Sequence, residues 1–167
     1  MNHVVDVVTW YWNVINKFMK EALKEAQKAY LIGEVPVGCV IVYDNKIIAR
    51  GHNTREIKQS VLGHAEINAI SKASKKIGSW RLEDCDIYIT LEPCSMCSGA
   101  IIQSRIKNLY FGAYDLKTGA CGSVLNLFDY TFNHKVNVYG GIMEDECSRI
   151  IKDFFKELRQ KNIANND

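Results

Sequence analysis

The sequence is poor in features that break up or extend a chain. It has only two prolines in 167 residues, no internal repeat and no low-complexity segment, which excludes a Pro-rich linker and a repeat array. Basic and acidic residues nearly balance, so the net charge of +2 neither demands nor excludes a phosphate-bearing partner. The chain has no apolar run of about 18 residues and opens without a basic segment or signal-type cleavage site. We therefore expect a cytoplasmic protein without a membrane span.

Length and composition indicate an ordinary globular protein. The residues are 47% hydrophobic and 24% charged, and a chain of this length suits one hydrophobic core. We therefore predict a single domain over residues 1–167. Six cysteines are present, and in a cytoplasmic protein a C-x-x-C pair more often serves metal or redox chemistry than a disulfide.

Hydrophobic periodicity predicts alternating helices and strands. Apolar residues at helical spacing predict helices over 14–30, 64–77, 94–104 and 144–160. Alternating or β-branched runs predict strands over 37–43, 46–51, 87–91, 109–113 and 136–138, with Asp44 and Asn45 as the turn of a hairpin. This order indicates an α/β layered domain with helices flanking one sheet. The longest predicted irregular span, 114–133, is expected to carry function because of its length.

The residues most informative about chemistry stand at two predicted helix starts. His64 and Glu66 begin one helix, and Pro93, Cys94 and Cys97 begin another directly after a strand. Cys94 and Cys97, three apart in a first helical turn, lie on one face, where the positive end of the helix dipole favours thiolates. Residues i and i+2 diverge by about 200° in a regular helix. His64 therefore shares a site with Glu66 only if it lies at the irregular helix edge, which the preceding glycine permits.

Each of these groups has an ordinary alternative when taken singly. A C-x-x-C pair also forms redox dithiols and half of structural zinc sites, and a His-x-Glu at a helix start also serves capping and charge. Together they match a catalytic zinc site, in which His64, Cys94 and Cys97 leave the fourth position to water. Zinc makes hydroxide available near neutral pH, and Glu66 transfers protons. Attack at an amine-bearing ring carbon with loss of ammonia is deamination, and the combination resembles the signature of zinc deaminases.

Further segments resemble one branch of these enzymes, the bacterial-type tRNA adenosine deaminases, which convert the wobble adenosine of a tRNA to inosine. The resemblance covers nearly the whole chain. It is carried by 33–38 (GEVPVG), 51–53 (GHN), 64–66 (HAE), 90–101 (TLEPCSMCSGAI), 104–106 (SRI), 111–113 (FGA), Asp115, 117–119 (KTG), 122–123 (GS) and 154–155 (FF). The zinc motifs alone fit any cytidine, cytosine, guanine or adenosine deaminase, and the later segments favour the tRNA branch. The chain departs from the family at 61–63, where VLG replaces the usual Pro-Thr-Ala.

The resemblance implies a three-layer α/β fold of the cytidine-deaminase type, with a central mixed five-stranded sheet flanked by helices. It also implies a homodimer whose two subunits shape each RNA-binding site, with one zinc ion per subunit. The implied site residues are His64, Cys94 and Cys97 for zinc, Glu66 for proton transfer, Asn53, Val35, Pro36 and the backbone amide near Ala65 for the flipped base, and Asp115 and Lys117 beside the anticodon loop. Residues 1–12 exceed the family norm, and we expect a packed extension, a dimer contact or a mobile arm.

Several implied residues also have a plain local interpretation. Asn53, Asp115 and Lys117 stand where turn residues are common, and Val35 with Pro36 can simply begin a strand. The last predicted helix carries a basic stripe at spacings of three and four, formed by Arg149, Lys152, Lys156 and Arg159. Phosphates suit that stripe and bases can stack on Phe155, although intervening acidic residues also fit an ordinary solvated face.

Two other functions stay open from the sequence. A deaminase of a free nucleobase or nucleoside, of the guanine or cytosine type, would share the zinc chemistry but close its pocket over a small ligand. A noncatalytic zinc module that binds RNA would complete a closed four-ligand site with one further Cys or His and would leave Glu66 without a role. The candidates for that fourth ligand are Cys85, Cys121, His52 and His134.

Overall fold

The computed structural model describes the backbone of residues 2–165 and the side chains of residues 6–165. Its helices are α1 (Asn2–Leu31), α2 (Arg55–Lys58), α3 (Ala65–Ile77), α4 (Ser95–Gln103) and α5 (Glu144–Ala164); its strands are β1 (Gly38–Tyr43), β2 (Lys46–His52), β3 (Asp86–Leu91), β4 (Asn108–Ala113) and β5 (Asn137–Tyr139). Every predicted helix and strand is confirmed, with shifts at the ends. The predicted irregular span contains a short 3₁₀ helix at Leu127–Asp129, and α2 is an element that the sequence pattern does not indicate.

The sheet is mixed, as the resemblance implies. Its strand order is β2-β1-β3-β4-β5, with β1 antiparallel to both β2 and β3 and β3, β4 and β5 parallel to one another. The β1–β2 hairpin turns at Asp44 and Asn45, whose φ values of 48° and 57° lie in the left-handed region that Asp and Asn tolerate better than most residues. The predicted hairpin turn is therefore confirmed.

Helices cover both faces of the sheet and complete three layers. Alternate strand residues point to opposite faces, and the two hydrophobic cores follow that alternation. The core on the α3 and α4 side includes Cys39, Ile41, Ile87 and Ile89, whereas the core on the α1 and α5 side includes Val40, Val42, Tyr88 and Tyr110. The three-layer α/β fold predicted from the resemblance is therefore confirmed.

Helix α1 packs close against the start of β1. A Cβ built on Gly38, the first residue of β1, would collide with the backbone of Ala22 and Ala26 in α1. Only a residue without a side chain permits this approach. The loop between α1 and β1, which carries Val35, is thereby held against the helix.

The segment predicted as an extension continues α1, which begins at Asn2 rather than near residue 14. Trp10 and Trp12 are exposed, with about half or more of their surface accessible. Between them, the hydroxyl of Tyr11 lies 3.0 Å from that of Tyr110 in β4. The described part of the extension is therefore helical and contacts the sheet at Tyr11. None of the described helices combines the length and apolar character needed to cross a membrane.

Candidate active site

The site lies at one end of the strands, along the side of the sheet where β2, β3 and β4 end and β1 begins. The carboxyl ends of parallel β3 and β4 meet on this side. Because β1 runs antiparallel to β3, its first residue, Gly38, is on the same side and pairs with His52 at the end of β2. The segments directly after β2, β3 and β4 and directly before β1 therefore converge, although they are far apart in sequence.

His64 and Cys94 each occupy the N-cap position of a helix. Their backbones are extended, with φ/ψ of −75°/149° at His64 and −72°/174° at Cys94, and neither side chain caps its helix. Both side chains are therefore free to point into the site. Glu66 and Cys97 follow in the first turns of α3 and α4, so His64 stands at the irregular helix edge, the one position from which it can share a site with Glu66.

The three predicted metal ligands lie close together. The Nδ1 atom of His64 is 3.4 Å from Sγ of Cys97 and 3.7 Å from Sγ of Cys94, and all three ligand atoms lie within 4.8 Å of one another. A tetrahedral zinc ion with bonds of about 2.3 Å to sulfur and about 2.0 Å to nitrogen separates such atoms by about 3.6 Å. The spacing and the donor types of these residues fit zinc.

Among the side chains that the structure describes, no fourth Cys, His, Asp or Glu joins this group. Instead, His52 contacts Glu25 at 3.2 Å, and His134 contacts the carbonyl of Ile106 at 2.7 Å. Cys85 is buried in the core beneath α3 and α4, while the Cys121 thiol lies 3.9 Å from the Ser98 hydroxyl. The closed four-ligand site of a noncatalytic module is therefore not formed by these four candidates.

The electrostatics of the cluster suit both metal binding and proton transfer. A hydrogen bond from the Cys97 thiol lowers the pKa of Cys94 to about 4, a shift that favours the thiolate form needed in a metal ligand. The hydrogen bond to Cys94 raises the pKa of His64. Glu66 is only 4% exposed, and burial raises the pKa of its carboxyl above the usual range. A carboxyl shifted in this direction is better matched to proton transfer near neutral pH than an exposed one.

A cavity of about 280 Å³ opens beside the cluster, at the small end of the range for ligand pockets. His64, Glu66 and Cys94 line it together with Val35, Val37, Asn53, Ala65, Leu91, Asp115 and Thr118. Of the residues implied for the base, Pro36 is buried and does not line this cavity, whereas Val37 does. Lys117 is exposed and does not line the cavity either.

The side chain of Asn53 is held at both ends of its amide. Its Nδ2 atom donates to the carbonyl of Val35 at 3.2 Å, and its Oδ1 atom accepts from the amide of Arg55 at 3.1 Å. Only 8% of the residue is exposed, and it lies on the cavity wall. One N–H and one oxygen lone pair of the amide remain for a ligand. The turn role and the binding role considered for this residue are thus compatible.

Two buried carboxylates that sequence reasoning missed organise the loops around the cavity. Glu92 accepts hydrogen bonds from the backbone of Asp115 (3.0 Å), Cys121 (2.9 Å) and Ser123 (3.1 Å), and also from the Ser123 hydroxyl. Glu34 accepts from the amides of Glu56 and Ile57 at the start of α2. Each of these acidic residues stands beside an apolar stretch, which is the one sequence signal that either is buried. A buried carboxylate requires hydrogen-bond donors, but the sequence does not indicate which loops supply them.

Asp115 serves as a turn residue and also lines the cavity. Its Oδ1 atom accepts from the amides of Lys117 at 2.9 Å and Thr118 at 3.2 Å, which is the pattern of an Asx turn. The bridge between Gly119 and Cys94 and the bond from the Ala120 amide to the Pro93 carbonyl at 2.8 Å fasten the same loop to the ligand segment. This loop therefore connects the Asp115 side of the cavity wall to the segment that carries Cys94.

The basic stripe of α5 does not line the cavity. Arg149, Lys152, Phe155, Lys156 and Arg159 are all exposed. Helix α5 packs on the sheet face opposite α3 and α4, and acidic Asp153 and Glu157 line the groove that contains Arg149 and Lys156. The stripe and the cavity are therefore separate surfaces, and only a ligand larger than a nucleobase would touch both.

The chain is similar to known deaminases over most of its length. The family model described as MafB19-like deaminase matches residues 14–159, so the chain is a member of the deaminases. The tRNA-specific adenosine deaminase of Bacillus subtilis (strain 168) is 49% identical over 148 residues, which cover 88% of this chain and 92% of the relative. The corresponding protein of Haemophilus influenzae is 46% identical, with coverage of 87% and 85%. The chain belongs to the family of tRNA-specific adenosine deaminases.

A solved structure supports the same assignment. A structure from a study of A-to-I editing by tRNA:A34 deaminases at the wobble position of transfer RNA has a TM-score of 0.78 and 44% identity. The match covers 80% of this chain and 98% of that one.

Proposed function

We propose that the protein hydrolytically deaminates the wobble adenosine in a tRNA anticodon loop, giving inosine and ammonia. The observation that carries the proposal is that Glu66 lines one small cavity together with His64 and Cys94, which form a cluster with the buried Cys97. Family membership favours adenosine in tRNA as the substrate. We extend the proposal to a single deaminase domain over residues 1–167, of which the family model matches 14–159.

One zinc ion per subunit would be held by His64, Cys94 and Cys97, whose spacing and donor types fit it. When bound, zinc supplies Lewis acidity that makes water available as hydroxide near neutral pH. These three residues are the ligand set that the protein itself would supply, and water would reach the ion from the cavity that His64 and Cys94 line.

Glu66 handles the protons of the reaction. Its carboxylate accepts a proton from the attacking water and delivers it to a ring nitrogen of the adenine, while the water oxygen bonds to the amine-bearing carbon. Glu66 then takes the remaining proton of the added hydroxyl and passes it to the departing amine, the carbon–nitrogen bond breaks, ammonia leaves, and the oxygen becomes the carbonyl of inosine. Water is consumed and inosine is formed, with no change in oxidation state. The burial of Glu66 favours this cycle because it keeps the carboxyl ready to hold a proton.

The cavity wall orients the flipped base. Asn53 offers its remaining N–H and oxygen lone pair to the edge of the base, while Val35 provides apolar contact and the backbone amide near Ala65 keeps the ring in register. Pro36, which is buried and does not line the cavity, follows Val35 directly in the chain and would act on the base only through it. A pre-splayed anticodon loop makes extrusion of the base less costly than extrusion from a duplex.

RNA contacts outside the cavity complete the proposal. Asp115 and Lys117 lie at the loop that closes the cavity mouth and would contact nucleotides beside the target. Arg149, Lys152, Phe155, Lys156 and Arg159 would contact phosphates and a base farther along the RNA. The proposal includes a homodimer in the cytoplasm, with both subunits shaping each RNA site; light scattering should give twice the chain mass.

A substrate comparison tests the function. Purified protein is incubated with an anticodon stem-loop carrying a wobble adenosine, with the same stem-loop carrying a wobble guanosine, and with free adenosine, guanine and cytosine. We expect inosine only in the first RNA, detected by mass spectrometry of the digested nucleosides. Turnover of a free base or nucleoside without inosine in RNA would overturn the proposal in favour of a small-molecule deaminase.

A further inference from the structure

An asparagine in α3 connects two parts of the site that the chain brings together from different segments. The Nδ2 atom of Asn68 donates to the carbonyl of His52 at 2.9 Å and to the hydroxyl of Thr54 at 3.1 Å. These acceptors belong to the two residues on either side of Asn53. The amide oxygen of Asn68 faces away, toward the Lys58 ammonium at 3.4 Å, so the orientation of the amide agrees with all three contacts.

Helix α3 is also the element that carries the chemistry. His64 is its N-cap and Glu66 lies in its first turn, while the amide of Asn68 donates to the His64 carbonyl at 3.0 Å. Asn68 therefore has its main chain in the turn that holds the catalytic groups and its side chain on the backbone that holds Asn53. One side chain thus bridges the backbone on either side of Asn53 and the helix that carries Glu66.

We infer that Asn68 is a positioning residue that holds Asn53 in register with Glu66 and the metal ligands. The inference rests on the proposed function, in which Asn53 binds the flipped base. The local contacts of Asn53, to the carbonyl of Val35 and the amide of Arg55, orient its amide but link it only to neighbouring loop segments. The side chain of Asn68, by contrast, connects the two residues that flank Asn53 to helix α3.

Lys72, one helical turn farther along α3, offers a matched control. Its ammonium donates to the carbonyl of Arg50 at 2.9 Å, so it also joins α3 to β2. This tie lies two residues before His52 and does not flank Asn53. Replacement of Lys72 therefore removes a link between the same two elements without releasing the base-binding residue.

A double-mutant cycle tests the inference. Single-turnover inosine formation in the anticodon stem-loop is measured for the wild type and for Asn68→Ala, Lys72→Ala, Asn53→Ala and the Asn53→Ala/Asn68→Ala double variant. Misplacement of a binding group by a fraction of an ångström costs reactions about tenfold or more. We expect Asn68→Ala to lose about tenfold, Lys72→Ala to stay within about twofold, and the double variant to match Asn53→Ala, since the effect of Asn68 passes through Asn53.

Asn68→Asp is the second variant, because it keeps the size of the side chain and removes both donor hydrogens. Melting temperature and bound zinc are measured for every variant, and a positioning role predicts values near those of the wild type for Asn68→Asp. Full activity of both Asn68 variants would overturn the inference, and so would normal activity of Asn53→Ala. A double variant that is tenfold slower than Asn53→Ala would also overturn it, because the effect of Asn68 would then not pass through Asn53. Failure of the wild type to form inosine would instead overturn the proposed function, so the two failures have different signatures.

Discussion

His64 and Cys94 occupy positions where a different residue would favour the helix more. Ser, Thr, Asp and Asn are preferred at the N-cap because their side chains accept a backbone hydrogen bond, yet neither of these side chains makes one. The chain thus forgoes two capping interactions and keeps an imidazole and a thiol directed at the cavity. Such a departure from local preference is expected at functional sites.

This trade leads to a prediction at Cys94. Replacement by Ser supplies a capping hydroxyl and removes a thiolate ligand. Bound zinc and inosine formation should therefore be lost, while the metal-free variant should gain about 0.5–1 kcal/mol in free energy of unfolding over the metal-free wild type. Urea titrations in the presence of a chelator measure the gain, and elemental analysis measures the metal. Retention of a full zinc equivalent by Cys94→Ser would contradict the ligand assignment.

The buried carboxylate of Glu92 supports a second residue-level prediction. Because Glu92 accepts from four donors in the 115–123 loop, Glu92→Gln places an NH₂ group against N–H donors and leaves at least one of them unpaired. The expected cost is about 1–3 kcal/mol of unfolding free energy, with faster hydrogen exchange at the amides of Cys121 and Ser123. Ser123→Ala, which removes a single donor, serves as the milder comparison. Equal exchange in Glu92→Gln and the wild type would show that another group orders this loop.

At the scale of elements, the contact between α1 and β1 decides where the loop that carries Val35 lies. Gly38→Ala introduces a methyl group into the backbone of α1 at Ala22 and Ala26, and neither segment can move without disturbing the core. We expect a loss of about 1–3 kcal/mol in unfolding free energy, measured by chemical denaturation. Gly99→Ala in α4 is the control, since no atom lies near its added Cβ and Ala favours a helix by about 1 kcal/mol. Similar stabilities for the two variants would contradict the packing described.

The elements with strong patterns could be predicted from the sequence, and those stabilised by distant contacts could not. The near-continuous apolar run of β1 and the Asp44–Asn45 turn predict the hairpin because both signals are local. Helix α2 has no buried residue and depends on the distant carboxylate of Glu34 at its first amides, so no local pattern indicates it. The role of Glu92 could not be predicted for the same reason, since its hydrogen-bond donors lie more than 20 residues away in the sequence.

The candidate site divides in the same way. His64, Glu66, Cys94 and Cys97 are identifiable because metal chemistry demands particular residue types at particular spacings. Asn68 has no such signature, because its importance depends on which backbone atoms α3 faces after β2 has paired with β1. The register of the sheet, which is a tertiary property, decides that contact.

At the scale of the whole molecule, the basic stripe on α5 lies on the other side of the sheet from α3 and α4. If RNA reaches it, replacement of exposed Lys152 and Arg159 by Ala should weaken binding of the anticodon stem-loop and reduce the salt dependence of binding, by about one unit of log–log slope for each phosphate that is no longer neutralised. The rate of inosine formation in fully bound RNA should not change. A double replacement of Lys75 and Lys76, at the far end of α3 from His64, removes the same charge elsewhere. Equal salt slopes for the two double variants would exclude the stripe from the RNA site.

The fold as a whole brings two helix starts together, so that the Glu66 carboxylate lines the same cavity as His64 and Cys94. The most direct test combines the zinc content and single-turnover inosine formation of Glu66→Gln. The account predicts one zinc per chain, as in the wild type, and a rate lower by about 10²–10⁴-fold, the usual contribution of general acid–base catalysis. Normal turnover by this variant, or loss of its zinc, would contradict the role assigned to Glu66.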